Sequence, residues 1–447
     1  MITDKEYSEL LNNATTMPNI LIIQTMPYSQ NNSNRSLDAY FHFWKKENVA
    51  QIFSSNIVPT KGHCSELFQI TDANLLRRWL HKDKTVGTLY CYEKLTDDVV
   101  NPDIEYGTAI QNTYRIGKKH TPTIEILRRL LWRKKYWCTD QLNGWLDKFG
   151  PQCIFYNFSN HIFTQQIALY IADRYRIPII VAIGDDFYFN DQKSFSVAYH
   201  LFRWEFKRLT RKILRRPGSR AIYVNDKIKD KYNKAFNLEG ITIYFNSTIE
   251  RRRFRPINTH NPIIGYFGNI RLGRNHSIID VANALRQINP AYKVEVYTAD
   301  RDPAYYQELK DHPNVIFGGK IPYNEVQKRI SLCDIVLVVE GFKPEDIAFT
   351  KYSLSTKAAD ALACGASILA YGPSESGVIG YLQDTGAAEV CTEPSGIVAC
   401  LRSLLFDVNK QEMQYKNAIS VFNSNHTIKS SSQRFYNLVK EMVDNHD

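Results

Sequence analysis

The sequence lacks the patterns that mark metal-binding, disulfide-rich, secreted and membrane-spanning proteins. Its eight cysteines form no Cys-x-x-Cys pair and have no zinc-ligand spacing, so neither a zinc site nor a disulfide framework is indicated. No apolar run reaches the ~20 residues of a membrane span. Residues 1–17 are polar and acidic, unlike a signal peptide. We therefore expect a cytoplasmic protein that is neither secreted nor integral to a membrane.

Length and composition indicate a globular chain with two domains. Its 447 residues exceed the roughly 250 to 300 at which a single core stops growing. With 44% hydrophobic and 13% aromatic residues, each half can bury a core, which excludes a disordered or fibrous class.

The net charge of +10 is concentrated in two blocks, residues 127–137 and 203–216. In both, cations alternate with apolar and aromatic residues at roughly helical spacing. Such segments are typical of helices drawn to anionic lipid, although solvated helix faces packed on the N-terminal domain are an equal alternative. Neither block lies in a nucleic-acid motif. We predict peripheral contact with the inner face of a membrane and no nucleic-acid partner.

Strand, loop and helix patterns alternate along the first half of the chain. An apolar strand begins at Asn19, and the polar loop 28–35 leads into a helix predicted over 36–47. Further strands are predicted at 153–157, 177–183 and 220–224, with a helix at 164–175. Near-continuous apolar strands in βα units predict a doubly wound parallel sheet, whose ligands bind at the carboxyl ends of the strands.

A second βα series follows the charged stretch 250–262, which is typical of a linker. Strands are predicted at 262–268, 293–297, 315–317, 334–339 and 366–371, with helices at 277–289 and 324–332. The fold class is therefore predicted as α/β, with two successive Rossmann-like domains.

Residues 354–365 carry the pattern most informative about function. Ser355 can cap a helix start, and Thr356 and Lys357 fall where free backbone amides and the helix dipole attract phosphate. Asp360 lies one turn further, where it can accept hydrogen bonds from sugar hydroxyls. The combination favours a nucleotide sugar. An ordinary amphipathic helix after a loop is the alternative.

This stretch resembles the Ser-Leu-Pro-Thr-Lys-Leu-x-Glu-Tyr-Leu-Ala-x-Gly segment of retaining glycosyltransferases of the sucrose-synthase-like group (glycosyl transferases group 1). Ser355 replaces the usual Pro, and Asp360 replaces the usual Glu. Residues 265–274 resemble the group's Gly-Arg-Leu-x-x-x-Lys-Gly loop, with Arg274 at the lysine and Asn269 at the arginine, while residues 315–325 resemble its base-binding loop. The resemblance implies ten donor-binding residues: Gly268, Asn269, Arg271, Arg274, Lys320, Ile321, Ser355, Thr356, Lys357 and Asp360.

The resemblance also implies the glycosyltransferase B fold, in which two Rossmann-like domains face a central cleft and the last helix crosses back. We expect an N-terminal acceptor domain over 1–256, joined by 411–447, and a donor domain over 257–410. Asp185 and Asp186 could hold a divalent cation, but Arg274, Lys357 and a helix dipole supply the same charge compensation. We therefore expect no metal and no cofactor.

The catalytic residues are less well indicated. The group's second glutamate falls at Tyr352, which leaves Glu340, Glu345 and Asp346 as nearby acids, with Glu345 preferred. In the first domain, Gly184 occupies the group's histidine position.

Asp185 matches the following aspartate, and His161 is a second candidate, although a lone histidine is more often structural. The predicted catalytic residues are thus His161, Asp185 and Glu345. For the acceptor we predict Gln30, Asn31, Asn34 and Arg35, a loop that also suits an ordinary turn.

These observations predict an enzyme, a retaining, metal-independent hexosyltransferase of cell-surface polysaccharide or glycoconjugate synthesis. It would move a sugar from a nucleoside-diphosphate sugar to a glycan or lipid-linked acceptor. A non-catalytic binding subunit of a glycosylation complex is the alternative, and an epimerase or phosphorylase of the same fold is a third. The base, the sugar, the linkage and the oligomeric state are left open.

Overall fold

The structure is a computed structural model that describes residues 17–30, 34–81, 86–97, 122–191 and 193–445. It divides into two compact units. Unit 1 comprises Met1–Thr242 with Ser432–Asp447, and unit 2 comprises Ile243–Ser431.

Unit 2 begins before residue 257 and ends after residue 410, which are the bounds expected for the donor domain. The contacts of the two flanking segments explain the difference. Ser247 donates to Asp360 at 2.6 Å, and Arg251 donates to the Ala363 carbonyl at 3.0 Å. At the other end, Gln411 donates to the Leu404 carbonyl at 2.8 Å. Residues on both sides of the expected donor domain therefore pack on unit 2.

Unit 1 contains an eight-stranded sheet in the order β4-β3-β2-β1-β5-β6-β7-β8, parallel except for β4, which is antiparallel to β3. The strands are β1 (Ile20–Ile23), β2 (Val49–Phe53), β3 (Glu66–Gln69), β4 (Thr88–Cys91), β5 (Cys153–Asn157), β6 (Ile179–Ile183), β7 (Arg220–Tyr223) and β8 (Ile241–Thr242). The helices are α1 (Arg35–Tyr40), α2 (Asp72–His81), α3 (Pro122–Leu131), α4 (Lys134–Trp137), α5 (Asp140–Phe149), α6 (Ile162–Tyr175), α7 (Val197–Leu214) and α8 (Asp226–Phe236).

Unit 2 contains a six-stranded parallel sheet in the order β11-β10-β9-β12-β13-β14. The strands are β9 (Ile264–Phe267), β10 (Val294–Tyr297), β11 (Val315–Gly319), β12 (Ile335–Val339), β13 (Ser367–Tyr371) and β14 (Glu389–Cys391). The helices are α9 (Arg274–Ile288), α10 (Pro303–Asp311), α11 (Tyr323–Leu332), α12 (Pro344–Thr350), α13 (Thr356–Cys364), α14 (Gly377–Thr385), α15 (Ile397–Phe406), α16 (Val408–Asn425) and α17 (Ile428–Asp444), the last of which continues into unit 1.

The central strands are buried on both faces because helices cover both sides of each sheet. Every residue of β1 is at most 1% exposed, and so is all but one residue of β12, as expected for parallel strands made of continuous aliphatic runs. The α/β class with two parallel-sheet units, predicted from the sequence, is confirmed.

Helix α1 is shorter than predicted. It ends at Tyr40 instead of residue 47, because the next aromatic residues turn into the core. Phe41 and Trp44 pack against Phe435 of α17, with ring centroids 5.2 Å and 5.3 Å apart. Burying these rings stabilises the fold more than the lost helical turn would.

All eight cysteines are free thiols. Within the described ranges, no helix combines the length and hydropathy needed to cross a bilayer.

Candidate functional site

The order in which strands are added to the six-stranded sheet reverses between β9 and β12. These two strands are neighbours in the sheet although five elements, α9 to α11 with β10 and β11, separate them in sequence. Because both are parallel, the loops that follow them leave the same edge and diverge to opposite faces, which leaves a crevice at the switch point. Residues 268–273 follow β9, and Glu340 follows β12.

Arg274 and Glu340 form a two-pronged ion pair at this switch point. Arg274 Nε donates to Glu340 Oε2 at 2.9 Å, and Nη2 donates to Oε1 at 3.0 Å. The two side chains are 13% and 3% exposed. Burial raises the pKa of Glu340, while the charges of Arg274 and Lys357 oppose that rise. Glu340, a candidate for touching the sugar, is thus a buried partner that fixes the guanidinium.

Lys357 lies beside this pair. Its ammonium donates to the Tyr266 hydroxyl at 2.6 Å and lies 3.5 Å from the Asn269 carbonyl. Burial and the nearby Arg274 guanidinium lower the pKa of Lys357 to about 7, against the attraction of Glu340. At neutral pH the site therefore holds one fixed cation and one partly protonated lysine, whose pKa a bound anion would raise.

Gly268 makes room for Lys357. A Cβ at this position would overlap the lysine's Cε, and the residue has φ +139°, a conformation that other residues rarely adopt. A glycine is therefore required at position 268, because the Lys357 side chain occupies the space that a Cβ would fill.

Helix α13 begins as predicted. The Ser355 hydroxyl accepts a hydrogen bond from the Lys357 amide at 3.3 Å, and Thr356 is exposed at the first turn. Asp360 is only 7% exposed, and its Oδ1 accepts from Ser247 at 2.6 Å. A ribose hydroxyl at Asp360 would have to compete with Ser247.

A second group of predicted residues lines a cavity of about 420 Å³ at the start of α9. Asn269, Arg271 and Glu345 contribute to its wall, together with Asp346. Arg271 is held by Asp300, with Nε 2.6 Å from Oδ2, and Glu345 is exposed.

Asp346 is the buried acid of this cavity. It is 8% exposed, and its Oδ2 accepts no hydrogen bond within the described part of the chain. Burial and the neighbouring Glu345 raise its pKa. A buried acceptor without a donor is costly, so a ligand hydroxyl that donates here would be favoured.

Lys320 and Ile321 follow β11, which is the edge strand of the sheet. Lys320 is exposed and Ile321 is half-buried. They are separated from β9 by one strand, β10, so the structure does not bring them into the Arg274 cluster.

The order in which strands are added to the eight-stranded sheet reverses between β1 and β5. Amide side chains dominate this switch point. Asn157 Nδ2 donates to Gln24 Oε1 at 3.3 Å, and Gln51 Nε2 donates to the Met26 carbonyl at 2.8 Å. The loop after β1 is thereby fixed by uncharged hydrogen bonds.

The predicted acceptor residues belong to this loop. Gln30 is exposed, and its backbone amide donates to the Lys61 carbonyl at 3.1 Å. Asn34 caps α1 by accepting from the Ser36 and Leu37 amides, and Arg35 is half-buried in the first turn. Asn31 lies outside the described residues.

Two predicted catalytic residues lie in unit 1. His161 precedes α6 without capping it, and its ring stacks on Phe163 at 5.3 Å. Asp185 is exposed after β6.

Asp186, by contrast, accepts from the Tyr232 hydroxyl at 2.9 Å and from Lys231 at 2.7 Å. It is therefore a structural residue, and the adjacent acids do not act as a free pair. Among the described residues, no three His, Cys, Asp or Glu side chains are placed to hold a metal ion.

We compared the chain with known protein families, sequences and structures. No protein-family model matches the chain, and no curated protein sequence does. Among solved structures, it is similar to sucrose-phosphate synthase from Thermosynechococcus elongatus, with a TM-score of 0.57 and 11% identity over 96% of this chain and 100% of that one. Anabaena Alr3699/HepE in complex with UDP-glucose gives a TM-score of 0.55 and 13% identity, over 94% of this chain and 99% of that one.

WaaG, a glycosyltransferase involved in lipopolysaccharide biosynthesis, gives a TM-score of 0.50 and 12% identity, over 95% of this chain and 99% of that one. The chain has the glycosyltransferase B fold. The predicted fold resemblance is thereby confirmed.

Two features of the candidate site were missed by the sequence analysis: the contact of Tyr266 with Lys357, and the pairing of the candidate acid Glu340 with Arg274. Tyr266 lies inside an apolar strand, a pattern that predicts a core residue, yet its hydroxyl accepts a hydrogen bond from Lys357. Glu340 reads as a loop acid, and only its distance to Arg274 shows that it is an ion-pair partner. Strand β9 is buried along its whole length, so its sequence does not distinguish Tyr266 from a core residue. The pairing of Glu340 with Arg274 depends on the pairing of β9 with β12.

Proposed function

We propose that the chain is a glycosyltransferase that takes its sugar from a nucleoside diphosphate. The observation that carries this proposal is the cluster of Arg274 and Lys357 at the amino ends of two helices, beside Gly268, at the switch point of the second sheet. Backbone amides and cations converging there suit a diphosphate. HepE, which has the same fold, was solved with UDP-glucose.

The proposed chemistry is stabilisation of the departing diphosphate. When the bond to the sugar breaks, negative charge grows on the diphosphate, and Arg274 is already oriented toward it by Glu340. Lys357, with its pKa lowered to about 7, takes up a proton as that anion binds. Asp346 and Glu345 line the cavity at the start of α9, and we propose that they accept hydrogen bonds from sugar hydroxyls.

The finer features of the proposal come from the resemblance of the motifs. They are retention at the anomeric carbon, transfer of a hexose without a metal, and a glycan or lipid-linked acceptor held by the loop with Gln30 and Asn34. His161 and Asp185 are proposed to act on the acceptor side. Lys320 and Ile321 are proposed to contact the base.

A second candidate is a non-catalytic subunit that binds the nucleotide sugar. Tyr352 occupies the position of the group's second glutamate, and Asp360 is tied to Ser247. The missing glutamate favours binding without transfer, whereas the contact of Asp360 bears on ribose binding in both candidates. In this case nucleotide affinity would remain, and no sugar would leave the donor.

The experiment is nucleotide binding by calorimetry, followed by release of nucleoside diphosphate from a panel of nucleotide sugars. We expect one diphosphate to bind, and we expect Lys357→Ala to weaken it by at least about tenfold, since a charge-assisted hydrogen bond contributes about 1.5–3 kcal/mol. Lys310→Ala, which removes an exposed lysine of α10 in the same unit, is the matched control.

The outcomes separate the candidates. Binding with diphosphate release supports the enzyme, and binding without release supports the subunit. If no nucleotide binds, or if Lys357→Ala and Lys310→Ala have equal effects, the diphosphate site does not exist and both candidates fail.

A further inference from the structure

Unit 1 has a surface that the proposed reaction does not use, on the outer side of helix α7. The residues Val197, Leu201, Trp204, Arg208, Arg211 and Arg215 follow one another at steps of three or four. That spacing places them in a single stripe along the helix, about 27 Å long at 1.5 Å per residue. The two ends of the stripe differ in character.

The first half of the stripe is apolar and exposed. Val197, Leu201 and Trp204 are 73%, 53% and 59% exposed. Helix α3 packs beside α7 and adds Leu130, which is 47% exposed. Large apolar side chains grouped on one face mark a contact surface.

The second half of the stripe is cationic. Arg208 lies over the Trp204 ring at 5.5 Å and is 4.0 Å from Glu205. Arg211 Nε donates only to the Lys207 carbonyl within its own helix. Arg215 has no side-chain partner in the part of the chain that the structure describes. These three guanidinium groups are therefore available to an outside anion.

The opposite face of α7 fixes the helix to the unit. Phe206 and Ile213 are at most 1% exposed. Arg203 is buried, with Nε 2.8 Å from Asp191 Oδ1 and Nη1 2.9 Å from the Phe187 carbonyl. The stripe is thus not part of the core, and its substitution leaves the packing of the helix unchanged.

A groove of about 870 Å³ runs beside the stripe, between α3, α4, α6 and α7. Five cations line it, namely Arg129, Arg133, Lys134, Arg174 and Lys212, against two carboxylates, Asp173 and Glu205. Of these cations, Arg133 has no side-chain partner among the described residues, and Lys134 lies over the Tyr170 ring at 4.2 Å. The other three cations, Arg129, Lys212 and Arg174, are paired with Glu205, Asp173 and Asp147. Arg133 and Lys134 therefore supply the positive excess that suits phosphate groups.

We infer that unit 1 docks on an anionic lipid bilayer through the α7 stripe, with the neighbouring groove receiving phosphate headgroups. Apolar side chains including a tryptophan, beside a row of arginines, match the two layers of a membrane surface, acyl chains below and anionic headgroups above. Nucleic acid offers phosphates but leaves Val197 and Leu201 without partners, so lipid is favoured. This inference is independent of the proposed reaction.

The test is sedimentation of the full chain with vesicles of phosphatidylcholine, with and without an equal part of phosphatidylglycerol. We expect binding only to the anionic vesicles, weakening as salt is raised. Each cation at an anionic surface contributes roughly fivefold to partitioning. Arg208→Gln/Arg211→Gln/Arg215→Gln should therefore reduce binding on the order of a hundredfold.

A matched control removes the same charge from unit 2. Lys293→Gln/Lys310→Gln/Arg402→Gln replaces three exposed cations and should change binding by no more than about twofold. Leu201→Ser/Trp204→Ser tests the apolar half and should also lower binding to anionic vesicles, while circular dichroism and the melting temperature of every variant stay unchanged.

Four outcomes would overturn the inference: equal binding to both kinds of vesicle, full binding by the triple arginine variant, an equal loss in the unit 2 control, or a stripe that binds duplex DNA or a second copy of the chain instead of vesicles. Blue-shifted Trp204 fluorescence on anionic vesicles, lost in Trp204→Phe while sedimentation persists, would place this helix at the bilayer.

Discussion

The switch point of the eight-stranded sheet is built from amides, whereas that of the six-stranded sheet is built from charges. In unit 1, Gln24, Asn157 and Gln51 fix the loop after β1 through neutral hydrogen bonds. In unit 2, Arg274 and Glu340 form a buried ion pair, and Lys357 has a strongly lowered pKa.

The same βα topology therefore prepares two kinds of surface. Buried ionic groups are costly to desolvate and need each other's charge, whereas amides can be paired in place without charge. This difference agrees with the proposed binding of an anion in unit 2 and of neutral polar groups in unit 1.

Arg274→Ala should produce the largest effect. It leaves Glu340, with 3% of its side chain exposed, as a buried carboxylate without its partner, which costs about 3–5 kcal/mol. We expect the free energy of unfolding from urea titration to fall by that amount.

The control is Lys328→Ala, which breaks an exposed pair with Glu325 and should cost no more than about 1 kcal/mol. Adding Glu340→Gln to Arg274→Ala should restore part of the loss. Equal costs for Arg274→Ala and Lys328→Ala would mean that the charged switch point is not a buried pair.

Gly268→Ala should have the next largest effect. The added Cβ overlaps Lys357 at a backbone φ of +139°, and such strain costs about 1–3 kcal/mol. Diphosphate affinity, measured by calorimetry, should fall because Lys357 is displaced.

Gly150→Ala in unit 1 is the matched control, because it also has a positive φ but its Cβ would meet nothing within 4 Å. It should lower stability without changing nucleotide affinity. A loss of affinity in Gly150→Ala equal to that in Gly268→Ala would contradict the steric account.

Diphosphate binding should depend on pH through Lys357. The free site has a pKa of about 7, and a bound anion raises it, so binding takes up a proton. Affinity should be greatest near and below pH 7 and should fall by up to about tenfold per pH unit above it, until the pKa of the complex is reached.

Lys357→Gln removes the titrating amine from the site, so its affinity should be weaker and should change much less with pH above 7. Calorimetry of both proteins across that range checks the prediction. A flat profile in the unchanged chain would show that Lys357 is already charged when the site is empty.

Asn34→Ala should have the smallest effect. It removes the cap of α1 and should lower the free energy of unfolding by about 1 kcal/mol, whereas Asn34→Asp should retain the cap. Because the change lies at the neutral switch point, nucleotide affinity should be the same in both variants. A drop in nucleotide affinity would contradict the assignment of nucleotide binding to the six-stranded sheet alone.

Local patterns predicted the central strands of both sheets and missed β2, β3, β4, β8 and β14 among the described residues. The apolar runs of β1, β6 and β12 appear where expected, and Ser355 caps α13 as predicted. Helix α1 ended earlier than predicted because Phe41 and Trp44 gain more from packing on Phe435 than from one further helical turn. That partner lies near the other end of the chain, beyond the reach of any local pattern.

The sequence alone determined the α/β class, the two parallel sheets and the positions of Arg274 and Lys357, because periodicity and capping act over a few residues. The tertiary structure alone decided which charges meet. Glu340 faces Arg274 because β9 and β12 pair at the switch point, and Asp360 contacts Ser247 because residues 243–256 pack beside α13. Lys357 has a lowered pKa because the fold buries it against Tyr266 and near the Arg274 guanidinium.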